Sequence, residues 1–229
     1  MLNVLRYPDA RAAAESCGRG ILDLLTAAIG TGKQATLAVS GGSSPKPMFE
    51  LFAKSGFPWE QVQIFWVDER CVPPSDLQSN FRMANETWLA PAKVPSANIH
   101  RVPTELEPQE AARRYSEDVQ NYLPFDVIHR GIGPDGHTAS LFPGEPLIAD
   151  HEGIAGAVWV EKMHQWRVTL LPGVLEAARN TVVLATGADK AEALAAVLRG
   201  PYDPMKWPAQ IGARGTNVTW FTDLPKEIA

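Results

Sequence analysis

Apolar residues fall at helical spacing near the start of the chain. Ile21, Leu24, Leu25 and Ala28 share one face of a 3.6-residue repeat, and Asp9, just after Pro8, supplies a cap. Gly18 and Gly20 weaken this helix, and Gly30 and Gly32 stop it. The pattern then changes. Residues 36–39 form a short β-prone run that ends in Ser40-Gly41-Gly42-Ser43-Ser44, and a helix follows from Pro45 to about Lys54. Residues 62–67 are β-branched and aromatic and end at Asp68-Glu69-Arg70. Residues 80–89 read as a further helix. Pro108 opens another, with Ala112, Tyr115, Val119 and Tyr122 on one face, and the strand 125–129 then runs into Gly131-Ile132-Gly133-Pro134-Asp135-Gly136-His137.

In the last third, residues 154–160 and 168–171 are strand-like and 182–185 is a short buried strand. An Ala-rich helix over 189–198 is closed by Gly200, and 218–221 supplies a final strand. Strands alternating with helices predict an α/β fold: a single Rossmann-like domain spanning 1–229, with a mainly parallel sheet flanked by helices. No repeat, charge block or linker divides it. In such sheets the functional loops gather beyond the carboxyl ends of the strands, which is where segments 40–44, 68–70 and 131–137 are expected.

Composition narrows the possibilities. Of 229 residues 45% are hydrophobic, enough for a folded core. The net charge of −5, with no basic cluster, argues against a nucleic-acid partner. Charge, Gly or Pro interrupts every apolar stretch before the roughly 18 residues of a membrane span, and Met1 to Pro8 shows no signal-peptide pattern. A soluble, cytoplasmic protein is therefore expected. Cys17 and Cys71 are too few for a disulfide framework or the usual structural zinc site, and are expected as two buried free thiols.

Three segments could carry chemistry. Ser43 and Ser44 precede a helix start, where glycine-freed amides and two hydroxyls could hold an anion such as phosphate, or form an ordinary capped turn. Pro45 and Pro47 lack N–H groups, so the anion would depend on amides from Gly42 to Ser44. No Gly-Lys-Ser/Thr ending follows, so this is not a nucleotide P-loop. Gly131, Gly133 and Gly136 match G-x-G-x-x-G, but a helix starting there would meet Phe142-Pro143-Gly144 within about two turns, so the match is read as coincidental. In the same loop His137 could act as a general base, or be merely packed or exposed. Asp135 could orient it, although residues at i and i+2 need not touch. Arg70, Arg167 and Lys190 stand at ends of predicted elements. Lys190, in a first helical turn, opposes the dipole and so suggests a nearby anion; all three can equally be solvated or paired residues. The remaining histidines show no metal-ligand spacing.

Taken together, residues 37–45, 66–70 with Ser79-Asn80, and 131–143 resemble the 6-phosphogluconolactonase family, and Arg167-Val168-Thr169-Leu170, Thr186-Gly187-Ala188-Asp189-Lys190-Ala191 and Thr219-Trp220-Phe221 extend the likeness over nearly the whole chain. The resemblance implies a fold shared with glucosamine-6-phosphate deaminases and hydrolysis of 6-phospho-D-glucono-1,5-lactone without metal or organic cofactor. It further implies that Gly41, Gly42, Ser43 and Ser44, with Arg70, Arg167 and Lys190, bind the phosphate or sugar hydroxyls. Asp68 and Asn80 would line the pocket, His137 would activate water and Asp135 would assist. The expected partner is the small sugar-phosphate lactone, with neither nucleic acid nor membrane, and the expected state is a monomer or weak homodimer.

Two positions depart from the family pattern. Ser44 replaces a usual threonine and keeps its hydroxyl, whereas His129-Arg130 stand where apolar residues commonly precede the glycines. Arg130 either adds to the pocket's positive field or points to solvent. The related deaminases carry a glutamate where this chain has Phe142, and an apolar ring cannot shuttle a proton. Amino-sugar isomerisation is thus disfavoured. A non-catalytic sugar-phosphate sensor is a third reading, but no basic helix-turn-helix segment accompanies the anion loop.

Overall fold

The helix over residues 10–29 begins where its cap predicts: the Asp9 carboxylate accepts the Ala12 amide at 2.8 Å, and the helix runs unbroken through Gly18 and Gly20 to Gly30. The computed structural model describes residues 3–226; Met1, Leu2 and residues 227–229, which fall within the expected 1–229 domain, lie outside the described residues. In chain order the elements are β1 (Asn3–Arg6), α1 (Ala10–Ile29), β2 (Ala35–Val39), α2 (Lys46–Lys54), β3 (Val62–Trp66), β4 (Asp68–Arg70), α3 (Asn80–Ala84) and β5 (Ile99–His100). There follow α4 (Pro108–Val119), β6 (Val127–Gly131), β7 (Ala155–Val160), β8 (Gln165–Leu170), α5 (Pro172–Ala177), β9 (Thr181–Ala185), α6 (Ala191–Arg199) and β10 (Val218–Thr222).

Seven strands form one sheet in the order β1-β10-β9-β6-β2-β3-β5, every neighbouring pair parallel. Strands β2, β3 and β9 are buried at every position, as continuous apolar strands covered on both faces must be. On one face Leu37, Val39, Ile64 and Trp66 pack against Cys17, Ile21 and Leu25 of α1 and Met48, Phe49 and Phe52 of α2. On the other, Ala38, Phe65 and Ile128 meet Ala111, Tyr115 and Val119 of α4, and Val183 and Trp220 meet α6. The chain turns outward in opposite directions from β2 and β6, so a crevice opens beyond their carboxyl ends.

The segment 68–70 is not a loop. It is a strand of a second, antiparallel sheet ordered β4-β8-β7. The Tyr115 hydroxyl donates to the Trp66 carbonyl at 2.7 Å and accepts the Trp66 amide at 2.8 Å, satisfying the backbone where β3 ends. Val67 then donates to Val39 and accepts from Leu170, one residue serving both sheets. The predicted helix 80–89 is α3 followed by a π-helical turn over Asn85–Leu89. Cys17 is buried as expected, whereas Cys71 is only half-buried. Among the described residues no helix is long and apolar enough to cross a membrane.

Candidate active site

The crevice between β2 and β6 holds a cavity of about 260 Å³. That is just below the roughly 300–1,000 Å³ of sites for drug-sized ligands, so it suits a small metabolite better than a dinucleotide. Gly41, Gly42, Ser43 and Ser44 form one wall, and Asp68, Arg70, Asn80, His137, Arg167 and Lys190 complete it with His129 as a further lining residue. Asp135 stands behind His137, outside the lining.

The wall at 41–44 is built by close approach. A Cβ on Gly41 would lie 2.1 Å from the Asn80 side-chain oxygen, and Gly42 sits at φ +95, so neither position accepts a larger residue without strain. The amides of Gly42, Ser43 and Ser44 donate to no backbone acceptor among the described residues, and they lead directly into α2. No serine side chain caps that helix. Free donors at a helix start are what an anion needs.

The second sheet supplies the opposite wall. Arg70 and Arg167 pair in register across β4 and β8. The Arg167 guanidinium lies 3.9 Å from the Asp68 carboxylate and donates to the Met163 sulfur at 2.7 Å; burial lowers its pKa against the opposing pull of Asp68, and neighbouring Arg70 adds to the lowering. Arg70 donates to the Gln78 carbonyl at 2.5 Å, and the Nε of each arginine is buried without a partner. Asp68 accepts from Ser140 Oγ at 2.7 Å, and its carbonyl accepts from the Asn80 side-chain amide at 2.9 Å. Lys190 closes the end of a 3-10 turn and caps α6 rather than lying in its first turn; its ammonium donates to the Thr186 carbonyl at 2.7 Å.

After β6 the chain makes a tight turn, with Gly136 donating to the Gly133 carbonyl and Gly133 to the His137 carbonyl. The glycine spacing has a structural cause unrelated to dinucleotides. A Cβ on Gly133 would lie 2.0 Å from the His137 imidazole, and Gly136 takes φ +79 with the Trp207 ring against it. His137 and Asp135 do touch, Nδ1 to Oδ1 at 2.5 Å. The other carboxylate oxygen receives the Lys162 ammonium. Burial alone would raise the Asp135 pKa, but the hydrogen bonds from His137 and Lys162 outweigh it and hold the carboxyl well below the usual range. Phe142 packs against His137 at a tilt, ring centroids 4.3 Å apart and planes 32° apart.

Arg130 neither enlarges the pocket's field nor meets solvent. It is 1% exposed, outside the cavity lining, and donates to the Ile211 carbonyl, while burial draws its pKa down to about 10. Alternation along β6 explains this: His129 faces the α1 and α2 side and Arg130 the opposite one. Two residues escape sequence reasoning. Buried Glu69 accepts the amides of Arg70, Asn80 and Phe81 and the Ser79 hydroxyl, thereby anchoring α3; burial raises its pKa although those amides pull the other way. Lys162 comes from the tip between β7 and β8, a register that only the folded hairpin defines. Among the described residues no group of three or more His, Cys, Asp or Glu could hold a metal ion.

Residues 8–220 match the family described as glucosamine-6-phosphate isomerases/6-phosphogluconolactonase. A 6-phosphogluconolactonase of Synechocystis is 36% identical over 208 residues, covering 87% of this chain and 86% of that one. Among solved structures, the 6-phosphogluconolactonase of Thermotoga maritima superposes with a TM-score of 0.86 at 28% identity, covering 97% of this chain and 99% of that one. The Trypanosoma brucei enzyme superposes with 0.88 at 26%, covering 100% and 98%.

Proposed function

Because the chain belongs to the glucosamine-6-phosphate isomerase/6-phosphogluconolactonase family, we propose that it hydrolyses 6-phospho-D-glucono-1,5-lactone to 6-phospho-D-gluconate, as in the oxidative pentose phosphate pathway. One observation carries the reading: the His137 imidazole and the cationic, amide-rich wall face a single small cavity. The phosphate, bearing about −1.5 to −2 charges, is held by the 42–44 amides and by Arg70, Arg167 and Lys190, leaving the lactone carbonyl beside His137.

A carboxylate can only accept, so Asp135 holds His137 with its proton on Nδ1 and its lone pair on Nε2. Nε2 takes a proton from water as the oxygen adds to C1. The imidazolium returns that proton to the ring oxygen when the C1–O bond breaks, and the new carboxylic acid ionises to solvent. Catalysis of this kind contributes about 10²–10⁴-fold. Phe142 occupies the place where the deaminases carry an acid, which supports water attack over ring-opening isomerisation.

The test is His137→Ala. Acid release from freshly generated lactone should fall to near the uncatalysed rate while 6-phosphogluconate still binds. Near-normal hydrolysis would refute the assignment. Glucosamine 6-phosphate is the control substrate, and no ammonia should be released from it.

A further inference from the structure

The contact between His137 and Asp135 has a further partner, contributed by the hairpin of the second sheet. Asp135 has two carboxylate oxygens, and both are engaged: Oδ1 by the imidazole and amide of His137, Oδ2 by the ammonium of Lys162. Lys162 lies in the 3-10 turn Glu161–Met163 at the hairpin tip, where His164 adopts φ 46 and returns the chain into β8. Its ammonium also stands 4.4 Å from the centroid of the Phe142 ring, the ring that packs at a tilt against His137. Four side chains thus form a closed circuit: ammonium on carboxylate, carboxylate on imidazole, imidazole on phenyl ring, phenyl ring under ammonium.

Two physical consequences follow. An Asp on a turn can rotate about its last torsion, and a cation on the far oxygen removes that freedom, so the imidazole is presented to the cavity in one orientation. The same cation also offsets the charge that would otherwise stabilise the protonated imidazole. Resting on the hydrolase reading above, we propose that Lys162 is a positioning residue for this reaction: through Asp135 it fixes the orientation of His137 and keeps the ring available as a base. Lys162 touches neither the cavity nor the reacting atoms.

The other charges near the imidazole are accounted for. Asp135 comes from its own loop. Arg167 approaches from β8, 5.9 Å from the Phe142 centroid, and Arg70, Asp68 and Lys190 line the shared cavity. Lys162→Met changes only one of these charges. With a neighbouring positive charge gone, the acid limb of kcat/KM should move to higher pH.

The measurement compares wild type, Lys162→Met and Lys162→Arg on freshly generated 6-phosphogluconolactone between pH 5 and 8, with the uncatalysed rate subtracted. The phosphate of the substrate also titrates near pH 6, but identically in all three profiles. The imidazole signals of each protein are titrated by NMR in parallel. The expected result is an upward shift of both limb and imidazole titration in Lys162→Met, with Lys162→Arg like wild type. An unchanged or lowered limb in a Met variant with normal thermal unfolding overturns the proposal, and Lys162→Gln replaces it should the Met variant fail to fold. A wild type that leaves the lactone untouched would sink the hydrolase reading instead, while the NMR titration would still decide whether Lys162 governs His137.

Discussion

Arg70 and Arg167 stand directly opposite each other on neighbouring antiparallel strands, both against the cavity. Two like charges at cross-strand positions destabilise a sheet unless an anion lies between them, and Asp68, already held by Ser140, reaches only Arg167. The unpartnered Nε of each arginine leaves donor capacity for a phosphate. Arg167→Met should therefore weaken 6-phosphogluconate binding at least tenfold, about 1.4 kcal/mol, and shrink the ligand-induced rise in thermal midpoint. Titration calorimetry measures the first and thermal unfolding the second. Binding unchanged from wild type would remove Arg167 from the anion site.

The glycines at the end of β6 and in the turn after it separate two explanations of one motif. If Gly133 serves the imidazole, Gly133→Ala forces His137 out of place, because the added carbon would lie 2.0 Å from the ring. A displacement of about 1 Å can cost on the order of 100-fold in rate, so turnover should fall by that order while 6-phosphogluconate still binds. Gly131→Ala should be tolerated: its added carbon meets nothing nearer than the Leu184 carbonyl at 3.8 Å. Assaying both variants side by side decides the matter, since a dinucleotide fingerprint would need both glycines.

Glu69 gives a prediction about architecture rather than chemistry. Its carboxylate serves three amides and one hydroxyl, and a carboxamide can accept through only one oxygen while turning N–H groups toward donors. Glu69→Gln should cost about 1–3 kcal/mol in urea unfolding. It should also raise KM, because the start of α3 carries Asn80, whose amide closes on the Asp68 carbonyl. Wild-type stability and KM together would show that α3 does not depend on this anchor.

What was legible in the sequence shares one property: the signal is local. Asp9 caps α1 within its own first turn, and the periodicity of 108–119 needs no knowledge of the rest of the chain. Each candidate site residue except Asp135 lines the cavity, although Asp68, Arg70 and Arg167 reach it from within strands of the second sheet and not from loops. The antiparallel sheet leaves no local trace, because Asp68-Glu69-Arg70 has little β-propensity and its partner Arg167-Val168-Thr169 is remote in sequence. Six-residue α5 has no side-chain cap, and β1 is mostly exposed, so neither shows a pattern of its own. Lys162 depends on hairpin register, which no spacing rule conveys.

His129 ties the fold to acidity. It is 1% exposed on β6, both ring nitrogens lack partners, and burial pushes its pKa down to about 3. In the unfolded chain a histidine takes up a proton near pH 6.5. Below that value the unfolded state gains a proton that the folded state refuses, so stability is lost as pH falls from about 6.5 and the loss levels off near 3. His129→Leu removes both the proton uptake and the orphaned nitrogens, and Leu suits a strand buried between layers. The variant should be no less stable than wild type at pH 7, and its advantage should grow by about 2–3 kcal/mol at pH 4.5. Every other titrating group is common to the two proteins and cancels in the difference. Urea unfolding of both at the two pH values reads it directly, and an equal gap at each would mean that the folded protein accepts a proton on His129 after all.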